Sequence, residues 1–122
     1  EVQLNDITKA TELLENIINK KEYSDITKSY ARILYISLIL DIDNLTISQE
    51  NKSREYLQYF NKDSQVFYAT ATLLKSLFYF KKNDFNFAKQ YASETLKLSR
   101  ASAVIKEQAK AIITLISIKE SS

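Results

Sequence analysis

The sequence predicts an all-α fold of about six helices, and three observations carry that expectation. Apolar residues recur at spacings of three and four along almost the whole chain, the pattern of helices with a buried face. The 122 residues include no glycine and no proline, where ordinary chains carry roughly 7% and 5%. Tight φ > 0 turns and prolyl turns are therefore scarce. That disfavours a hairpin-rich β protein and leaves asparagine to fill the left-handed positions at helix ends.

The first helix is expected over about Asn5 to Lys20, behind an Asn-Asp start signal, with Ile7, Ala10, Leu14, Ile17 and Ile18 on one face. The second, about Ser24 to Leu40, is apolar on two sides: Tyr30, Ile33 and Leu40 on one, Ala31, Leu34 and Leu38 on the other. A helix of that kind has neighbours on both sides. A third, about Ser48 to Phe60, carries Tyr56, Leu57 and Phe60 and reads as half exposed. The fourth, about Ser64 to Phe80, repeats the two-sided pattern with Val66, Ala69, Leu73, Leu77 and Phe80 against Phe67, Ala71, Leu74 and Phe78. The fifth, about Asp84 to Leu98, has a single stripe of Phe85, Ala88, Ala92 and Leu96, with Lys89, Gln90, Ser93, Glu94 and Lys97 outside it. A sixth, about Ala103 to Ile118, places Ile105, Ala109, Ile112 and Ile116 together. No clear strand is left.

Length suits one domain with one core. The formal net charge is +2, so overall electrostatics does not call for nucleic acid or an anionic membrane. The longest apolar run, Ile33 to Ile42, is interrupted by Asp41 and is too short by about half to span a bilayer. The chain does not begin with methionine, and any signal or anchor is expected upstream of it. Zero cysteine fits a cytoplasmic or a periplasmic address equally.

Alternation of two-sided and one-sided helices suggests an internal repeat. Tyr30-Ala31 matches Tyr68-Ala69 at an offset of 38, and Ser53 matches Ala88 at an offset of 35. The difference of three is a longer loop at Asp41–Thr46 than at Lys81–Asp84, and helix-hairpin arrays accept insertions there. Within this pattern the stretch KKNDFNFAKQYASETLKL, residues 81–98, resembles the turn and second helix of a tetratricopeptide repeat. Asn83-Asp84 stands at the turn, Ala88 at the small-residue position, Ala92 or Thr95 continues the close face, and Tyr79 lies near the usual aromatic position. From about Asn61 to Ile116 the chain is similar to the C-terminal part of the YfgM-type tetratricopeptide-like proteins, ancillary to the bacterial Sec translocon. That resemblance implies an N-terminal membrane anchor, a helical domain facing the periplasm, and contacts with translocon and chaperone subunits. The chain departs from the repeat pattern at the glycine of each first helix, replaced by Leu38, Lys75 or Ser76, and at Ser53, which stands for the usual alanine.

Catalysis finds little to work with. Histidine and cysteine are absent, which removes the commonest general base, the thiol nucleophile and most transition-metal sites. The absence of glycine removes the standard phosphate-binding loop and the nucleophile elbow. Asp41, Asp43 and Asn44 open like a calcium loop, but the sixth position is Thr46 and the twelfth Lys52, where glycine and glutamate belong. A polar loop is the better reading. Asp84 reads as a helix N-cap, and Lys81, Lys82, Lys97 and Arg100 as cations closing helices. The sequons at Asn44 and Asn51 carry no weight in a chain rich in Asn, Ser and Thr.

The expected architecture is a right-handed array of antiparallel helical hairpins, tetratricopeptide-like and forming one domain. It comprises an N-terminal helix (1–22), two hairpins (23–61 and 62–100) and a capping helix (101–122). No enzyme activity, cofactor or metal is expected. The expected function is protein binding by the soluble domain of a membrane-anchored envelope protein, its partner a protein or peptide and the membrane reached only through an upstream anchor. The alternative is a self-assembling homodimer. Most of the eight tyrosines and six phenylalanines fall on core faces. Tyr23, Tyr35, Tyr59 and Tyr91 are not placed firmly inside, and beside the plainer reading of each as core they are the candidate partner-binding residues, since tyrosine offers apolar area and a hydroxyl at low entropic cost.

Overall fold

A computed structural model of the chain describes the backbone of residues 4–122 and side chains from residue 6 onward. The described residues form six α-helices and no strand: α1 (Leu4–Asn19), α2 (Asp25–Leu40), α3 (Ile47–Gln58), α4 (Tyr68–Lys81), α5 (Phe85–Lys97) and α6 (Ala103–Glu120). Helix α1 is already running at Leu4, and the side chain of Asn5, half of the expected start signal, lies outside the described residues.

Local chemistry explains most of the boundaries. Ser24 caps α2 by accepting from the Thr27 amide at 3.2 Å. Thr46 and Gln49 form a reciprocal capping box on α3, at 3.1 and 2.9 Å. Asp84 caps α5 through the Phe87 amide, and Ser102 caps α6 through the Ile105 amide. Asn83, at φ 61°, fills the left-handed position that a glycine-free chain assigns to asparagine.

Helix α4 starts four residues later than the periodicity predicts. Gln65 Oε1 accepts from the amides of Asn61 and Lys62, both at 2.7 Å, which winds this segment into a turn of its own. Phe67 then takes φ 69°, a left-handed conformation costing a bulky residue about 1–2 kcal/mol, and the helix begins only after it. Val66 is left half-exposed instead of joining the core.

The helices group into two compact units, residues 1–59 and 60–122. In the first, α1 packs on α2 and α2 on α3. Tyr35 meets Tyr56 edge to face with centroids 5.0 Å apart, a favoured aromatic geometry. Lys52 on α3 is ion-paired with Glu15 on α1. Tyr30, expected inside, is 51% exposed, because the buried arc of α2 runs through Ser29, Ile33 and Ile36 on one side and Ala31, Tyr35 and Ile39 on the other.

In the second unit α4, α5 and α6 each touch the other two. Leu73, Ala88, Ala92, Ala109, Ile112 and Ile116 form one buried cluster, with Leu77, Tyr79, Phe80, Phe85, Leu96, Ile105 and Ile113 packed around it, and Phe60, Ala71, Leu74 and Phe78 are buried as well. The stripes expected on α5 and α6 are therefore the ones buried. Ala88 has no exposed surface, and its carbonyl accepts a 2.6 Å hydrogen bond from the Ser76 hydroxyl of α4. Ser53, paired with Ala88 by the repeat offset, is equally buried, but its hydroxyl has no partner. A capping helix turns a polar face outward. Helix α6 turns Glu107, Gln108, Lys110, Thr114 and Ser117 outward, together with Val104, Leu115 and Ile118, which are 66%, 48% and 59% exposed.

These contacts set two expected outcomes in urea unfolding. Ser53→Ala raises stability by about 1 kcal/mol, because a buried hydroxyl without a partner carries a desolvation cost. Ala88→Leu lowers it by about 1–3 kcal/mol, through overpacking of the α4–α5 contact.

Candidate functional site

The second unit carries a continuous aromatic face. On α4, Tyr68, Lys75 and Tyr79 lie at spacings of seven and four; on α5, Phe87, Tyr91 and Glu94 lie at spacings of four and three. Both sets repeat every helical turn or two and so share a face. Tyr79 stacks on Tyr91 at 5.7 Å with the planes 14° apart, and Phe87 lies 5.2 Å from Tyr79 and 6.4 Å from Tyr91. Phe87 is 45% exposed, and Tyr68, Tyr79 and Tyr91 are half-buried.

Lys75 sits among these rings, its Nζ 5.8 Å from the Tyr68 ring and 5.6 Å from the Tyr91 ring, within cation–π range. It donates one hydrogen bond, to the Phe60 carbonyl at 2.9 Å. Burial lowers its pKa, and the nearby Glu94 carboxylate opposes the shift. Glu94 in turn accepts from the Tyr68 hydroxyl at 3.1 Å. Burial and then that hydrogen bond raise the Tyr68 pKa, and burial does the same at Tyr91, helped by Tyr79 and Glu94. The face thus holds a desolvated cation with unused N–H donors beside a carboxylate with one engaged oxygen. It can accept both hydrogen-bonding and apolar groups, and no pair of carboxylates converges in it for acid–base chemistry.

At one end the face runs into a cleft of about 480 Å³. Its walls are the turn entering α4, from Asp63 to Thr70, and the segment joining α5 to α6, including Leu98, Arg100, Ser102 and Ile105. Tyr68 belongs to both cleft and face.

Residues 1–116 match the family described as "Protein of unknown function (DUF2659)". The chain belongs to that family. It is also 35% identical over 108 residues to "Uncharacterized protein RP231" of Rickettsia prowazekii (strain Madrid E), an alignment covering 88% of this chain and 49% of the relative. The chain therefore spans about half the length of that relative. No solved structure matches the chain.

The four tyrosines singled out from sequence meet different fates. Tyr91 lies at the centre of the ring stack. Tyr23 is exposed just before α2, and Tyr59, at the end of α3, lies under the Arg32 guanidinium at 3.8 Å. Tyr35 is corrected: at 2% exposure it is a core residue of the first unit and offers no surface to a partner. Sequence reasoning missed Tyr68, Lys75, Tyr79, Phe87 and Glu94 as a site. Their shared spacing was available, but the same periodicity describes core.

Burial, with the Glu15 carboxylate and Tyr56 adding to it, pushes the Tyr35 hydroxyl up from 10.0 to about 12. Above pH 10 the unfolded chain loses this proton while the folded chain keeps it, so the contribution to stability falls as pH rises from 10 to about 12. Urea unfolding across that window is expected to show a steeper alkaline loss in the wild type than in Tyr35→Phe.

Proposed function

We propose that this chain is a non-enzymatic protein-binding module whose contact surface is the aromatic face of α4 and α5. The supporting observation is the half-buried Lys75 held between Tyr68 and Tyr91, beside a ring stack open at Phe87. Rigid aromatic groups are what protein interfaces use as anchors. Hairpin packing through Ala88 and Ser76 fits a tetratricopeptide-like array in which a first helix, here α4, presents such a surface.

The proposal extends to place and partner through the resemblance to the YfgM-type proteins. It makes the chain the soluble domain of a membrane-anchored bacterial envelope protein, facing the periplasm and ancillary to translocon or chaperone subunits. Among the described residues no helix is long and apolar enough to cross a membrane, and the anchor in this proposal is the one that the resemblance implies. Crosslinking from the native envelope, with the full-length protein, tests this. Recovery of translocon or chaperone subunits is expected, reduced at least several-fold by Tyr91→Ala and unchanged by Leu13→Ser, which alters an exposed side chain of α1. Capture indifferent to Tyr91→Ala would overturn the assignment of the face.

A second reading, homodimerisation, has its own observation in the exposed stripe of Val104, Leu115 and Ile118 on α6. It predicts a mass that rises with concentration and returns to monomer in Leu115→Glu. A constant monomer mass by sedimentation would remove it.

A further inference from the structure

The formal charge of +2 conceals an uneven distribution. Residues 1–59 hold seven basic and ten acidic side chains, and residues 60–122 hold ten basic and five acidic. The unit that carries the aromatic face is thus strongly basic, and its cations bracket the face. Because α4 and α5 run antiparallel, Lys81 and Lys82 lie at one end of the hairpin, and Lys62, Lys97 and Arg100 at the other. Between the ends stands Lys75, with only one of its N–H donors engaged. The carboxylates beside them are Asp63, at the cleft, Asp84, which caps α5 next to Lys81 and Lys82, and Glu94, which accepts from Tyr68.

We propose that this face binds an acidic, extended peptide segment of a partner protein, seated along the α4–α5 hairpin with one apolar side chain in the cleft beside Tyr68. The proposal rests on the protein-binding reading above and adds the charge and shape of the ligand. Lys75 donates to a peptide carbonyl or carboxylate, and Glu94 is placed to accept a main-chain amide. The rings of Tyr79, Phe87 and Tyr91 pack against apolar side chains, and the bracketing lysines meet acidic ones. The cleft has apolar walls at Val66, Leu98 and Ile105 and room for a large side chain. A hairpin of this length, about 20 Å, matches an extended segment of about six or seven residues. Nucleic acid fits less well. Between the two groups of cations the face carries Lys75 alone, whereas a nucleic-acid backbone is met by a row of phosphate contacts.

Three fluorescein-labelled peptides of about ten residues test this, each with the same leucine and phenylalanine spacing but with glutamate, glutamine or lysine elsewhere. Anisotropy with the full chain is expected to show the glutamate peptide binding at least about tenfold more tightly than the glutamine peptide, a gap that narrows with added salt. Lys75→Met and Arg100→Glu each close most of that gap. Tyr91→Ala weakens the glutamate and glutamine peptides alike. Equal affinity for the two, or preference for the lysine peptide, overturns the acidic assignment; if Tyr91→Ala still abolishes binding, the protein-binding reading survives it. No binding of any peptide by a chain that remains helical by circular dichroism overturns both. A labelled oligothymidine that binds more tightly than the glutamate peptide and displaces it also overturns the proposal, in favour of nucleic acid.

Discussion

The close approach of α4 and α5 at Ala88 is the contact on which the rest of the second unit depends. A chain without glycine must bring helix backbones together through alanine and serine, and here the two meet at one point: Ala88 has no exposed surface, and the Ser76 hydroxyl donates to its carbonyl at 2.6 Å. This bond satisfies a buried hydroxyl and ties the helices where their side chains are smallest. Continuing the small stripe, Ala92 lets Leu73, Ile112 and Ile116 pack into one cluster with Ala109. The cluster therefore takes small side chains from α5, Leu73 from α4, and both Ala109 and the larger Ile112 and Ile116 from α6.

The same contact positions the candidate site. With Ala88 and Ala92 turned into the core, the helical repeat brings Phe87, Tyr91 and Glu94 to the adjoining side of α5, opposite Tyr68, Lys75 and Tyr79 of α4. The rings stack across the hairpin because the backbones beneath them are held close. Small residues inside and large aromatic residues beside them are two consequences of one packing choice.

Two local conflicts with stability fall in this unit. Phe67 takes a left-handed conformation at the mouth of the cleft, and Lys75 carries its charge into a half-buried position where burial lowers its pKa. Neither is what fold stability alone would select. Departures of this kind are expected where a surface serves binding, and they contrast with the first unit, where buried Tyr35 and Tyr56 and the Glu15–Lys52 pair hold neighbouring helices together. Ser53 is a conflict without such a context, since its buried hydroxyl touches no partner.

Helix class, helix number and most boundaries were set by information local to the chain. Capping residues such as Thr46, Asp84 and Ser102 act within three residues of themselves, and a single apolar stripe, as on α5 and α6, can face only one way. Where that locality ends, tertiary structure decided. Helix α2 is apolar on two sides, so its pattern allows either Tyr30 or Tyr35 to point inward; the neighbours chose Tyr35. The start of α4 turned on Phe67, whose left-handed conformation no propensity would assign to phenylalanine. The aromatic face was invisible for the same reason: a ring spaced for a core and a ring spaced for a surface obey one periodicity, and only the partner on the other side distinguishes them.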